Sequence, residues 1–403
     1  MLSEQSVATV RATLPVVGGA IGEITERFYA GLFAARPELL RDLFNRGNQA
    51  AGTQRQALAG SIAAFATHLV DHPDDRPDAM LARIAHKHAS LAITAEQYAL
   101  VHEHLFAAIA DVLGEAVTPE VAAAWDEVYW LMANALIAIE KRLYEERGGS
   151  EWREWEVVGR VEETADVATF RLRPADGGPA ADFRAGQYVS VQVGLPDGAR
   201  QIRQYSLSAA PGSPLRQISV KRVRGGTAPD GEVSNHLHAR VHVGDRLRLS
   251  PPYGDLVLAG NPAGNDAAAP LLLASAGIGV TPIVAMLGQL ADTGHQGPVI
   301  VVHGDRSPAE HALRADPYAG KLPDASVHFW YEEAARRDGA DGSHRTGRVD
   351  LTGIAVPEGT RAYLCGPLPF MRAVRAQLIG KGVAPADIHY EVFGPDLWLA
   401  RES

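Results

Sequence analysis

The sequence predicts a multidomain chain: an all-α domain, then an antiparallel β-barrel, then a doubly wound α/β domain. Three observations carry this. Residues 1–147 repeat apolar side chains at helical spacing, and Gly148-Gly149-Ser150 breaks that pattern. Short alternating segments follow, and these give way to continuous apolar runs separated by helical patterns. The chain of 403 residues also exceeds the ~250–300 residues at which one core stops growing.

Composition narrows the function classes. A formal charge of −10 with no basic stripe makes nucleic acid an unexpected partner. No run of about 18 apolar residues is visible, and Met1 to Val10 carry no secretory pattern. The expectation is a cytoplasmic protein with no stable membrane insertion. The single cysteine, Cys365, excludes an internal disulfide and a thiolate cluster. A metal must then be held by histidine or arrive inside a cofactor.

In the first part, Ile24, Phe28 and Leu32 stand at i, i+4, i+8, and Leu58, Ile62, Phe65 and Leu69 within Ala57 to Val70 stand at i, i+4, i+7, i+11. Thr94 to Leu113 and Glu120 to Tyr144 give two further helices, and Pro37, Pro73, Pro77 and Pro119 fall between the periodic segments. On a helical wheel, Leu81, Ile84, Ala85, His88 and Leu91 share one side, while Arg83, His86, Lys87 and Ser90 share the other. His88 is therefore expected inward and His86 outward.

Trp152 to Val161, Val167 to Leu172, Tyr188 to Val193, Gln217 to Val223 and Asp245 to Leu249 alternate as barrel strands do. Asn261 to Pro270 reads as a linker. Leu271 to Ala274 and Val299 to Val302 are unbroken apolar runs, as in parallel strands buried on both faces, with a helix at Pro282 to Asp292 between them. The expected domains are 1–147, 151–260 and 266–403.

Gly277-Ile278-Gly279-Val280-Thr281-Pro282 lacks the third glycine of a dinucleotide fingerprint. Thr281 is expected to cap the helix and Pro282 to open it, leaving free N–H groups for a pyrophosphate. Downstream, Asp305 suits an unphosphorylated ribose and Arg306 a 2′-phosphate.

Phe28-Tyr29, Pro37-Glu38-Leu39, Leu43-Phe44-Asn45, Asn48-Gln49, Gln54-Arg55 and Lys87-His88 resemble the bacterial flavohaemoglobin family. The likeness continues through Arg203-Gln204-Tyr205-Ser206, Cys365-Gly366-Pro367 and Tyr390-Glu391-Val392-Phe393-Gly394-Pro395, and so covers essentially the whole chain. It implies a globin domain holding haem b, with His88 as the proximal iron ligand, Tyr98 and Glu140 behind it, Tyr29 and Gln54 opposite, and Phe44 on the porphyrin. A carboxylate accepting from the imidazole pushes electron density toward iron, and a phenol donates a hydrogen bond where oxygen binds.

The same resemblance implies FAD in the barrel. Arg203 would meet the diphosphate, Tyr188, Gln204 and Tyr205 the flavin, and Ser206 its N5 side, with Ser234 in a phosphate turn. Residues Gly277 to Pro282 and Cys365 to Pro367 would take NADH or NADPH. Glu391, Val392, Phe393, Gly394 and Pro395 would cover the flavin, and Lys87 and Glu391 would tune the potentials. Val392 departs from a frequent cysteine, and Thr227-Ala228-Pro229-Asp230 looks like an insertion. The implied activity is nitric oxide dioxygenase, converting nitric oxide and dioxygen to nitrate. A carrier or sensor with a fused reductase, or a general flavin or ferric reductase, stand as alternatives. An apolar distal cavity also admits a lipid or another small apolar ligand.

Overall fold

The computed structural model describes residues 2–225, 229–258, 268–314, 316–333 and 344–396. Seven helices come first: α1 (Glu4–Ala35), α2 (Pro37–Asp42), α3 (Arg46–Ala50), α4 (Thr53–Asp71), α5 (Asp78–Ala89), α6 (Ala95–Leu113) and α7 (Pro119–Glu146). Helix α1 runs back to Glu4, where the Ser3 hydroxyl accepts from the Ser6 N–H, and it continues through Pro15. By length and composition alone α1 is apolar enough to cross a bilayer. Its many Ala, Gly and Val residues raise the average without forming an unbroken apolar run. It lies against α4, α6 and α7, burying Val10, Val17, Ile24, Phe28 and Leu32.

The second unit is a closed antiparallel sheet. Strands β1 (Arg153–Thr164), β2 (Val167–Pro174), β3 (Tyr188–Gly194), β4 (Arg200–Ser206), β5 (Arg216–Lys221) and β6 (Arg246–Leu249) lie in the order β4-β3-β6-β1-β2-β5. A bridge between Leu207 and Ile218 joins the two edges and closes the barrel, which removes the open edges a flat sheet would expose. Inward Val157, Phe170, Leu172, Val191, Ile218 and Val220 fill it. Helix α8 (Glu232–Arg240) packs on β4 and β5. Thr227 and Ala228 of the insertion-like segment lie outside the described residues, as does the linker from 261 to 267.

The third unit is a parallel sheet of β7 (Leu271–Ala276), β8 (Val299–Asp305), β9 (Ala325–Tyr331), β10 (His344–Thr346), β11 (Arg361–Cys365) and β12 (Ile388–Glu391), with α9 (Val280–Thr293), α10 (Asp316–Ala319) and α11 (Leu368–Gly380). The order β10-β9-β8-β7-β11-β12 runs outward in both directions from β7. Crossovers therefore reverse between β7 and β11, and a crevice opens beyond the carboxyl ends of those two strands. The Gly277 turn follows β7 and the Cys365 turn follows β11.

That switch point explains two glycines. Gly277 has φ +52°, and a Cβ on Gly279 would stand 2.2 Å from the Cys365 carbonyl oxygen. Gly279→Ala is accordingly expected to destabilise this domain by about 1–3 kcal/mol, read as a lower unfolding midpoint. Gly19→Ala, on α1 with open space around its Cβ, should leave the midpoint unchanged or raise it slightly.

Candidate functional site

One cavity of about 430 Å³ joins the helical unit to the other two. Phe28, Leu32, Ile62, Val101, Leu105, Met132 and Leu136 give its helical part an apolar wall, and His88 and Tyr29 both line it. His88 projects from the last turn of α5. Its Nδ1 lies 2.8 Å from Tyr98 Oη and 2.9 Å from Glu140 Oε1, and Tyr98 Oη donates to the same carboxylate oxygen at 2.5 Å. Glu140 sits in the α7 face that packs on α5 and is 2 % exposed. A carboxylate so placed takes the proton-bearing nitrogen, which fixes the tautomer and leaves the Nε2 lone pair as the ligating atom. Burial, with Glu140 next, holds the Tyr98 phenol protonated far above its usual range.

Tyr29 stands among Phe28, Phe33 and Phe44, with ring centroids 4.7–5.8 Å away. Burial pushes its phenol up to about 12, while the side chains of Gln54 and Gln49 act in the opposite sense. The phenol therefore remains a donor at neutral pH. An apolar slot with one imidazole and hydrogen-bond donors suits a haem.

The barrel side of the cavity carries Tyr188, Arg203, Gln204 and Ser206. Strand pairing sets Tyr188 beside Ser206 and Ser190 beside Gln204. Arg203 is desolvated, which lowers its pKa, yet no carboxylate among the described residues lies within salt-bridge reach of it. Ser206 Oγ, Tyr253 Oη and Glu391 Oε2 are buried with no protein partner among the described residues. Buried polar groups are rarely left so. Of these, Ser206 and Glu391 line the cleft with the desolvated Arg203, and such unspent polar groups beside a guanidinium fit the ring and diphosphate of a flavin.

Helix α5 joins the two sides. Its outer face, directed away from the helical core, is docked on the other two units. Gly254 N–H donates to His86 Nδ1 at 3.1 Å, Lys87 Nζ donates to Gln204 Oε1, and Ser90 is fully buried beside Tyr188. Arg83 reaches Asp255 at 3.5 Å and Asp396 at 3.4 Å and covers the Tyr390 ring at 4.1 Å. Burial lowers the Lys87 ammonium to about 8. Glu391, buried and facing Asp255, is pushed up from 4.5 to about 8, with Arg83 and Lys87 opposing the shift.

The nucleotide turn departs from expectation. Helix α9 starts at Val280 after a 3₁₀ turn over Gly277–Gly279. Thr281 does not cap it, because its hydroxyl donates back to the Ile278 carbonyl at 2.9 Å. Pro282 then sits inside the first turn, where its missing N–H costs no helical bond. Asp305, the candidate ribose contact, ends β8. Its carboxylate accepts from the Arg306 N–H at 2.8 Å and lies 3.5 Å from buried His303. Cys365, Gly366 and Pro367 end β11 against the Gly279 turn, and Cys365 is buried in register with Glu391 rather than lining the cavity. The Ser234 hydroxyl accepts from the Val223 N–H and donates to the Gly231 carbonyl.

Comparison with known proteins agrees with this division. Residues 26–136 match the globin family, 154–257 the oxidoreductase FAD-binding domain and 273–376 the oxidoreductase NAD-binding domain. A flavohaemoprotein of Rhizobium meliloti is 41% identical over 99% of this chain and 100% of its own length. One from Bordetella pertussis is 43% identical over 98% and 99%. The chain belongs to the flavohaemoprotein family. Among solved structures, the flavohaemoglobin of Malassezia yamatoensis, with bound FAD and haem, superposes with a TM-score of 0.88 at 38% identity, covering 98% of this chain and 100% of that one. The FAD/NAD-binding domain of a Vibrio cholerae nitric oxide dioxygenase reaches 0.53 at 38% identity, over 60% and 99%.

Within this flavohaemoprotein, the cavity gathers Tyr29, Phe44, Gln54, Lys87, His88, Tyr98, Tyr188, Arg203, Gln204, Ser206 and the Glu391 to Pro395 segment. Phe393 stands at its edge, 46 % exposed. Glu140 and Cys365 lie behind it, while Ser234 and the Gly277 to Pro282 turn lie elsewhere. Arg83, Asp255 and Asp396 were missed as site residues. Arg83 had a signal, since Arg83 and Lys87 are cations one turn apart on the polar face of α5.

Between pH 4.5 and about 8 the folded chain retains a Glu391 proton that the unfolded chain has released. This group's stabilising contribution is complete below the lower value and is lost as pH rises through the upper one. Glu391→Gln should therefore melt progressively higher relative to the parent as pH climbs across that window. Parallel melting curves for the two proteins would refute this.

Proposed function

We propose that this chain is an NAD(P)H-dependent nitric oxide dioxygenase, built as a haem-binding unit at 1–147, a flavin-binding barrel at 151–260 and a nucleotide-binding domain at 266–403. The observation that carries the proposal is the single cavity with the His88–Tyr98–Glu140 triad on one wall, Tyr29 and Gln54 within it, and the Arg203 to Ser206 segment at its barrel end. When bound, flavin converts a two-electron hydride into single electrons, and haem iron accepts them and holds a diatomic ligand.

The residues of the chain do the rest. Glu140 holds the His88 Nδ1 proton, orients the ring and raises its basicity toward iron. Tyr29 donates a hydrogen bond into the distal space, and burial keeps that proton on the phenol, so negative charge there is stabilised without being quenched. Phe28, Phe44 and Leu32 exclude water. Arg203 offers a fork to a diphosphate, and Ser206 Oγ is an unspent small donor beside it. Lys87, adjacent to His88 and bonded to Gln204, ties the two cofactor regions together. Phe393 covers the cleft from the C-terminal segment. Val392 in place of a cysteine keeps that cover small and apolar.

An oxidoreductase follows from the family itself, and nitric oxide as substrate is the finer claim that the Tyr29 side of the cavity supports. The test is a nitric oxide pulse to NADH-reduced, oxygenated protein, with nitrate assayed. Stoichiometric nitrate is expected, slowed about 10²-fold in Tyr29→Phe. His88→Ala should lose the Soret band yet keep NADH-driven reduction of an added acceptor. Nitrate formation unchanged in both variants would sink the proposal and leave a general reductase.

A further inference from the structure

Gln201 lies on β4 two residues before Arg203, on the same face of the strand, and is fully buried. Its amide is divided between two units of the molecule. Nε2 donates to the carbonyl oxygens of Leu40, Arg41 and Phe44 at 3.3, 2.9 and 3.2 Å. Oε1 accepts from Arg203 Nη1 at 3.2 Å and from the Arg46 backbone N–H at 3.4 Å. Leu40 and Arg41 belong to the last turn of α2, whose carbonyls have no partner within the helix. A barrel side chain thus caps a helix of the haem-side unit. Phe44, held by the same amide, turns its ring edge-on to Tyr29 at 5.8 Å and to Phe33 at 5.3 Å. Two hydrogen bonds therefore separate the Arg203 guanidinium from the backbone of a residue that walls the distal space.

We propose that Gln201 is a positioning residue that couples occupancy of the flavin diphosphate site to the shape of the distal pocket. Among the described residues, Arg203 Nη1 is held by neutral acceptors, the Gln201 amide and the Ile202 carbonyl. A diphosphate competes for this guanidinium with charged oxygens, which make the stronger bonds. Gln201 Oε1 then loses a donor, and the buried amide must share its remaining bonds differently because an unpaired polar group there is costly. Its three carbonyl partners move with it, and Phe44 is the one that bears on Tyr29. Arg46 stiffens the same corner through Asp197 and Glu232, both at 2.6 Å, without carrying the path through its side chain.

This coupling rests on the cofactor reading proposed above, and the experiment separates the two. Azide binding to the ferric haem is titrated on the full-length protein with FAD bound and after FAD removal. The parent should show an azide Kd that differs about fivefold or more between the two forms, and by linkage FAD affinity should differ by the same factor with and without azide. In Gln201→Met the difference should vanish while Soret and flavin bands persist. Arg46→Met, which loosens the interface but keeps the amide, should retain it. Equal azide Kd values in the two parent forms overturn the inference without needing any variant, and so does a full difference in Gln201→Met. A protein lacking a Soret or flavin band overturns the cofactor reading and this inference with it.

Discussion

Helix α5 is the member on which the rest of the molecule depends, because from Leu81 to its end none of its residues is exposed. Its inner side delivers His88 to the cavity, and its outer side is the surface on which the barrel and the C-terminal strand dock. Any rotation that re-aimed His88 would withdraw Arg83 from Asp255 and Asp396, His86 from the Gly254 N–H, and Lys87 from Gln204. The orientation of a single imidazole is therefore held by contacts to all three units, and the distance between the two halves of the cavity is set by one turn of helix.

Two buried carboxylates serve opposite ends of this arrangement. Glu140 receives two donors, from His88 and Tyr98, and so acts as a fixed acceptor. Glu391 keeps one oxygen without a partner and faces Asp255, so burial and like charge together raise its affinity for a proton. The first geometry stiffens a ligand. The second leaves a group that changes charge near neutral pH within the cavity that joins the helical unit to the barrel.

The order of elements was legible because periodicity survives in the sequence. The barrel strands at Val167 and Tyr188 begin at the predicted residues, and the runs at Leu271 and Val299 are buried parallel strands. His88 was placed inward by its apolar neighbours. What the outer polar face meets was not legible. His86 and Ser90 lie on a polar face, and polarity is the same signal whether that face meets water or another domain. Thr281 has the residue type of a cap, but the 3₁₀ turn at Gly277–Gly279 starts the helix before it. The 3.5 Å approach of buried His303 to the Asp305 carboxylate is likewise set by the fold and not by any motif.

By itself the sequence determined the three-part architecture, the apolar wall around His88 and the motif residues of the flavin and nucleotide segments, because local period and turn chemistry are properties of neighbouring residues. The tertiary structure alone decided which polar groups share one cavity. Gln201 and Phe44, Lys87 and Gln204, and Arg83 and Asp396 are separated by 157, 117 and 313 residues. Their partnerships arise where domain surfaces meet, and no local pattern encodes that encounter.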